Sequence, residues 1–112
     1  MQVVYSSVFK ASLRQILMCS GVVYSDQTRR SLISSIRKTT QYLQAFPLSG
    51  AKESLLEELN PLHRHVVIRP YFKLIYFVDG DVVFLADLWD TRQCPDSLVA
   101  RIEPSLSRRE SK

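Results

Sequence analysis

The residues of this chain best suited to chemistry on a phosphodiester are His63, Arg64, His65, Arg69 and Arg92. Cleavage of RNA without a metal ion needs a base for the 2′-hydroxyl, an acid for the leaving 5′-oxygen and a cation for the charged phosphorane. Histidine titrates near neutral pH and can serve as acid or base. The arginine fork matches two phosphate oxygens. One hypothesis is therefore a metal-free ribonuclease, although this spacing is common in proteins.

The histidine segment also has a structural interpretation. In an extended chain His63, His65 and Arg69 share one face and Arg64 lies on the other. Both histidines would then be solvent-exposed residues at the start of a strand. Arg64 would cover the end of a sheet.

The two remaining arginines could instead form ion pairs. Arg69 would pair with Asp87 or Asp90, and Arg92 would pair with Asp90 or Asp96. Unpaired, acids this close to a phosphate site would repel RNA. Asp87 and Asp90 therefore weaken the ribonuclease hypothesis unless they are paired.

The first half of the chain predicts a strand and two helices. A short β-branched run predicts a strand over residues 2–6, and Ser6 or Ser7 can cap the helix that follows. Apolar residues at helical spacing mark its buried stripe, and we expect it to end near Gly21. A second helix should begin at Ser25 or Asp26 and end before Pro47. The apolar stripes are Phe9, Leu13, Ile16 and Leu17 in the first helix, and Leu32, Ile36, Thr39, Leu43 and Phe46 in the second.

The second half predicts strands. We expect them at residues 65–69, 71–78 and 82–89, with a type I′ hairpin turn at Asp79-Gly80. The last two strands are apolar on both faces, so both faces should be covered. A short helix should run from Pro95 to Ile102. The prediction is an α+β domain: an N-terminal strand, a helical hairpin, an antiparallel three-stranded segment in a small twisted sheet, and a short C-terminal helix.

The composition fits one globular domain of 112 residues. We expect residues 1–103 to form it and residues 104–112 to be a disordered polar tail. Cys19 and Cys94 are expected to be free thiols, and the sequence predicts no metal site and no cofactor. No segment has the pattern of a signal peptide or a membrane span, so we expect a cytosolic protein.

Positive charge is concentrated in the first part of the chain. Residues 1–69 carry nine basic and four acidic residues, a net charge of +5, whereas residues 70–112 carry six and seven, a net charge of −1. A basic surface favours nucleic acid or an acidic polypeptide as partner. Solvated helix faces are the alternative.

Three segments together resemble the RelE/ParE superfamily of toxins from bacterial toxin–antitoxin pairs. They are VVYSSVFKASLRQI, LQAFPLSG and YFKLIYFVDGDVVFLADLWDTRQCP. In that superfamily an aromatic-rich strand with a basic residue leads through a tight turn to a strand that ends in a polar cluster with an arginine. The matching residues here are Tyr71, Lys73, Ile75, Tyr76, Arg92 and Pro95.

The resemblance implies a small basic toxin that a cognate antitoxin holds inactive. Its ParE-like branch poisons DNA gyrase by binding, and its RelE-like branch cuts messenger RNA, usually on the ribosome. It is compatible with a homodimer or with a heterotetramer that includes the antitoxin. A degenerate, non-toxic binding module is a further alternative.

The resemblance also places site residues. Arg92 occupies the functional position after the last strand, and Lys52 lies in the connector where RelE-like nucleases often carry basic residues. A ribonuclease would use Arg92 with Arg64, His63 and His65. After Trp89, however, the chain has no Tyr or His, which RelE-like nucleases commonly use. The interpretation therefore favours the ParE-like branch.

In that branch the surface at the end of the last strand would bind target or antitoxin through Trp89, Arg69, Lys52 and Tyr71. Trp89 would stack on a base or an antitoxin side chain, or it would complete the core. We also expect an exposed apolar patch, involving Trp89, Val99 or Ile102, that the antitoxin covers.

Overall fold

The computed structural model describes residues 1–18, 24–56, 62–92, 98–100 and 102. The elements are β1 (Gln2–Tyr5), α1 (Ser7–Met18), α2 (Asp26–Ala45), β2 (Ala51–Lys52), a 3-10 turn (Ser54–Leu56), β3 (Arg64–Ile68), β4 (Phe72–Asp79) and β5 (Val82–Asp90). Residues 98–100 and 102 are helical, in the segment where a C-terminal helix was predicted. The predicted α+β class is confirmed.

Within the described residues, five strands form one sheet in the order β1-β5-β4-β3-β2. β1 runs parallel to β5, and the other neighbours are antiparallel. The sequence predicted every strand except β2. β2 has two residues, which is too short for an alternating pattern to mark it.

The first helix forms as predicted, and Ser6 is its cap. The Ser6 hydroxyl accepts from the amide of Phe9 at 2.9 Å and donates to the carbonyl of Ala86 at 2.8 Å. Phe9 and Ile16 are buried. Ser6 therefore starts the helix and also fixes it to β5.

The second helix begins at the predicted cap, since Ser25 Oγ accepts from the amide of Thr28 at 3.1 Å. Its buried side includes Leu32, Ile36 and Leu43 as expected. For two residues the predicted apolar stripe of this helix was wrong. Thr40, not Thr39, is buried, and Phe46 at the C-cap is 57% exposed because the helix ends at Ala45.

The hairpin between β4 and β5 is confirmed, but its turn type was wrong. Asp79 pairs with Val82, so Gly80 and Asp81 are the central residues. Gly80 has φ +59°, and no described non-glycine residue has positive φ. A type I′ turn needs two positive φ values, whereas type II′ needs one, at a glycine in the first central position.

Alternate residues of the central strands pack into two separate cores. On one face Phe72, Leu74 and Tyr76 pack against both helices. On the other face Ile75, Phe77, Phe84, Trp89, Leu56, Leu98 and Ile102 pack together. The chain's own residues therefore cover both faces of β4 and β5.

The second core corrects the expected apolar patch. Trp89 is 2% exposed and Ile102 is 1% exposed, and Val99 packs against the same cluster. The C-terminal helix supplies Leu98 and Ile102 to this face. These residues are therefore core residues and present no open surface to an antitoxin.

Several sequence predictions fall on residues that the structure does not describe. They are the end of the first helix near Gly21, both cysteines, the start of the last helix at Pro95, the pairing of Asp96 and the tail over residues 104–112. None of the described helices combines the length and the hydropathy that crossing a bilayer requires.

Candidate functional site

Arg92 and Asp90 form a bidentate ion pair where β5 ends. The guanidinium Nη2 and Nε of Arg92 lie 2.8 Å and 3.1 Å from the two carboxylate oxygens of Asp90. The backbone amide of Arg92 donates to the same carboxylate at 2.9 Å. The predicted alternative of an Arg92–Asp90 ion pair is therefore present.

Two tyrosines complete this cluster. The guanidinium carbon of Arg92 lies 3.7 Å from the ring centroid of Tyr71, a distance at which cation and ring attract. The Tyr24 hydroxyl donates to Asp90 Oδ2 at 2.8 Å. The Tyr24 ring lies 6.2 Å from the Tyr71 ring, centroid to centroid. We call Tyr24, Tyr71, Asp90 and Arg92 the exit cluster.

The residues of the exit cluster shift one another's pKa values. Burial opposes ionisation of Asp90, but hydrogen bonds from Arg92 and Tyr24 outweigh it and hold the pKa of Asp90 below its ordinary value. The hydrogen bond to Asp90 raises the pKa of Arg92. Burial, followed by the hydrogen bond to Asp90, raises the pKa of Tyr24 to about 12.

The cluster limits what Arg92 can do chemically. The Arg92 side chain is 51% exposed, but the Asp90 carboxylate, 7% exposed, already occupies its fork. A phosphate would have to displace the Asp90 carboxylate from Arg92, or share the guanidinium with it. The cluster is thus suited to a fixed surface contact through the exposed side of Arg92 and the half-buried Tyr71.

A second polar cluster lies on the opposite side of the sheet, around Glu53. Its Oε1 accepts from Lys73 Nζ at 3.0 Å and lies 3.2 Å from His65 Nδ1. Its Oε2 accepts from the amide of Leu55 at 3.1 Å. Glu53 is 3% exposed, so Lys73 and the backbone provide the neutralisation that a buried carboxylate needs.

His65 is held neutral in this cluster. Burial lowers the pKa of His65, the Lys73 ammonium lowers it further, and Glu53 opposes both effects. A neutral imidazole next to a carboxylate can accept a proton. His65 thus has the chemical capacity for base catalysis, but its neighbours hold it inside a structural cluster.

His63 was expected at the surface, and this was wrong. It is 1% exposed, and its ring meets the Phe77 ring edge-on with centroids 5.2 Å apart. Its carbonyl accepts from the amide of Glu53 at 2.9 Å. Phe77, on β4, packs against this buried ring. An RNA phosphate has no access there.

Tyr76 and Arg64 hold the connector before β2, a role that the sequence did not predict for either residue. The Tyr76 hydroxyl donates to the carbonyl of Pro47 at 2.8 Å and accepts from the amide of Gly50 at 2.9 Å. Arg64 Nη1 donates to the carbonyl of Gly50 at 2.8 Å. Arg64 therefore holds the connector rather than only covering the sheet end, and Lys52 beside it is exposed.

The catalytic residues that the sequence predicted do not lie together in one site. Arg64 pairs with Tyr76 in the sheet, whereas Arg92 follows Asp90, which pairs with Phe72. Four residues of strand separate these two levels, about 13 Å at 3.3 Å per residue. His63 precedes Arg64, and His65 follows it and pairs with Ile75, three residues of strand or about 10 Å from the level of Asp90.

The remaining candidates are dispersed. Trp89 lies in the second core, so the core interpretation of this residue holds. Arg69 is exposed in the turn before β4. Of its two proposed partners, Asp90 pairs with Arg92, and Asp87 accepts from the Ser12 hydroxyl at 2.7 Å. Tyr24 and Glu53 were missed, because their partners are distant in sequence.

The fold is that of a known toxin–antitoxin structure. No protein-family model and no curated protein sequence matches the chain. A chain of the solved structure described as "Chromosomal ParDE TA system from P. aeruginosa" superimposes with a TM-score of 0.59. The match covers 79% of this chain and 92% of that chain at 17% identity. At this identity the likeness establishes the shared fold, which confirms the fold that the RelE/ParE resemblance implied.

Proposed function

We propose that this chain is the toxin of a two-component toxin–antitoxin pair, acts by binding a target such as DNA gyrase, and is neutralised by a cognate antitoxin. The observation that carries the proposal is the fold shared with a chain of a ParDE system. The sequence segments that resemble RelE/ParE toxins support the toxin role within such a pair.

The placement of the ionisable residues favours binding over RNA cleavage. General acid–base catalysis needs its groups within hydrogen-bond reach of one reacting phosphodiester. Arg92 is paired with Asp90, whereas His65 pairs with Ile75, three residues of strand or about 10 Å from the level of Asp90 and Phe72. The exit cluster presents the half-exposed Arg92 side chain stacked on the Tyr71 ring, and arginine and tyrosine are enriched in protein interfaces.

One observation favours a RelE-like ribonuclease as second candidate. His65 is neutral and lies beside Glu53, which also binds Lys73, and Lys52 and Arg64 occupy neighbouring positions. These groups could supply a base and a cation without Arg92. A non-toxic binding module is the third candidate.

The test is induced expression in bacteria, with RNA 5′ ends sequenced and gyrase supercoiling assayed in the same cells. Growth arrest with intact messages, lost supercoiling and broken DNA is the expected result. New cuts at defined positions within codons, abolished by His65→Gln, would replace the proposal by the ribonuclease. Normal growth at high expression would favour the non-toxic module.

A further inference from the structure

The two helices carry more positive charge than the chain as a whole. α1 and α2 contain six basic residues and one acid, a net charge of +5, whereas all 112 residues together have +4. The acid is Asp26, which forms an ion pair with Arg29. The other five basic residues of the helices are exposed, and they are Lys10, Arg14, Arg30, Arg37 and Lys38.

These five side chains lie on one side of the molecule. The apolar stripes of α1 and α2 pack into the same core, on one face of the sheet. With about 3.6 residues per turn, the exposed basic residues of each helix lie on the side turned away from that stripe. The outer side of the helical layer is therefore a positively charged surface.

The placement of these cations does not stabilise the helices. Cations stabilise a helix near its C-terminus, yet neither α1 nor α2 has a basic residue in its last turn. Lys10 and Arg14 are four residues apart, a spacing at which like charges repel one another. A solvated helix face usually mixes charges of both signs. Since folding does not favour this arrangement, it indicates a negatively charged ligand.

The exposed side of α2 has the spacing and the side chains that a DNA backbone requires. Arg30 and Lys38 are eight residues apart, about 12 Å along the helix, and the major groove of B-DNA is about 12 Å wide. Ser34 and Gln41 are exposed on the same side, and serine and glutamine side chains also donate to phosphate oxygens. Arg30 and Lys38 can therefore contact phosphates of the two strands while the helix crosses the groove.

The composition of this surface distinguishes duplex DNA from other polyanions. Single strands stack their bases on aromatic side chains, but residues 10–18 and 26–41 contain no Phe, Tyr or Trp. Duplex RNA has a major groove that is too narrow for side chains to enter. A protein partner would need an apolar centre, whereas the exposed large apolar residues in these two ranges, Met18 and Ile33, lie on different helices.

We propose that the exposed side of α2 binds the backbone of double-stranded DNA, with Arg30 on one strand and with Arg37 and Lys38 on the other. Lys10 and Arg14 of α1 add to the positive potential that attracts the duplex. The binding is independent of base sequence, because phosphate contacts carry no sequence information. This site goes beyond the toxin function proposed above and does not depend on it.

The test is the fluorescence anisotropy of a labelled DNA duplex titrated with the full chain at several salt concentrations. Three phosphate contacts predict that the logarithm of the association constant falls against the logarithm of salt concentration with a slope of about −2.7. Arg30→Gln, Arg37→Gln and Lys38→Gln should each reduce that slope by about 0.9 and weaken binding about eightfold at about 0.1 M salt. Glutamine has a helix propensity close to that of arginine and lysine, so the fold is retained.

The control is Arg69→Gln, an equal charge change in the turn before β4, which should leave the slope unchanged and binding within about twofold. Equal losses for Arg69→Gln and Arg37→Gln would overturn the proposal, because overall charge would then account for the binding. Single-stranded DNA or duplex RNA that binds as tightly as duplex DNA would overturn it as well. Tighter binding of polyglutamate, weakened by the same α2 variants, would identify an acidic protein as the occupant and would also overturn it.

Amide chemical shifts measured by NMR locate the contact. A saturating DNA duplex should shift the amide signals of Ser34, Arg37 and Gln41, which lie on the exposed side of α2. The amide signals of the exit cluster should stay in place. Shifts confined to the exit cluster would show that DNA binds where β5 ends, and this result would overturn the proposal.

The growth assay separates this site from the toxin function. Duplex DNA binding through α2 by a chain that does not arrest growth would refute the toxin function and leave the DNA site standing. Growth arrest by a chain that binds no DNA duplex would refute the DNA site alone.

Discussion

Tyr24 donates its hydroxyl hydrogen to Asp90 Oδ2 at 2.8 Å, which joins the approach to α2 with the last residue of β5. Tyr24 is 7% exposed and Asp90 is 5% exposed. Arg92 donates hydrogen bonds to both oxygens of the Asp90 carboxylate. Asp90 is therefore the centre of the exit cluster, and each partner depends on it.

Replacing Asp90 should lower the free energy of unfolding more than replacing one of its partners does. Asp90→Asn removes the charge that Arg92 and Tyr24 face, and we expect the free energy of unfolding to fall by about 2 kcal/mol. Tyr24→Phe removes one hydrogen bond and should cost about 1 kcal/mol. Urea unfolding measures both. The control is Asp26→Asn, whose exposed pair with Arg29 is screened by water and should contribute little. Equal losses for Asp90→Asn and Asp26→Asn would contradict the assignment.

The raised pKa of Tyr24 predicts a loss of stability in alkali. Its pKa is about 12 in the folded chain, against about 10 for an ordinary tyrosine. The stabilisation is complete below pH 10 and is lost as pH rises towards 12, because only the unfolded chain ionises readily there. Urea unfolding at pH 9 to 11 should show a smaller decline for Tyr24→Phe than for the unmodified chain. Parallel declines would show that Tyr24 ionises normally.

The lowered pKa of His65 predicts a loss of stability in mild acid. Burial and Lys73 keep the folded imidazole neutral, so its contribution is complete above the ordinary pKa of about 6.5. It is lost as pH falls through the folded pKa, because the unfolded chain binds the proton first. NMR titration of the His65 ring should give a midpoint below 6.5. Lys73→Gln should raise that midpoint, and a midpoint at or above 6.5 in the unmodified chain would refute the arrangement.

Gly50 is required by a close approach and not by its backbone angle. A Cβ at this position would lie 2.6 Å from Tyr76 Oη and 2.8 Å from the carbonyl oxygen of His65. Since the carbonyl belongs to a strand, it cannot move freely, and Gly50→Ala should cost about 2 kcal/mol in urea unfolding. Ser49→Ala, at the exposed neighbouring position, is the control and should change the stability little. A neutral Gly50→Ala would show that the connector is not tightly held.

The sequence alone predicts much of the fold, because local signals mark it. Helix spacing, the caps at Ser6 and Ser25 and the glycine of the hairpin each depend on residues within a few positions. β2 lacks such a signal. Its two residues are defined by pairing with β3, and no local pattern reports that pairing.

The candidate site was less predictable, because its contacts are long-range. Tyr24 and Asp90 are 66 positions apart, and Lys73 and Glu53 are 20 apart. The sequence did indicate Arg92 and its pairing with Asp90, which are close neighbours. It could not indicate that His63 is buried, since the covering residue, Phe77, lies on another strand.

The parallel pairing of β1 with β5 has a consequence for synthesis on the ribosome. Ser6 and Ala86, which bond across this pair, are 80 residues apart. At about 5–20 residues per second, β5 is translated about 4–16 s after β1. During that time the apolar face of α1 has no strand to pack on. Since β1 has no neighbouring strand before β5 emerges, an interrupted translation product cannot assemble this sheet, and only a chain synthesised through Asp90 can complete it.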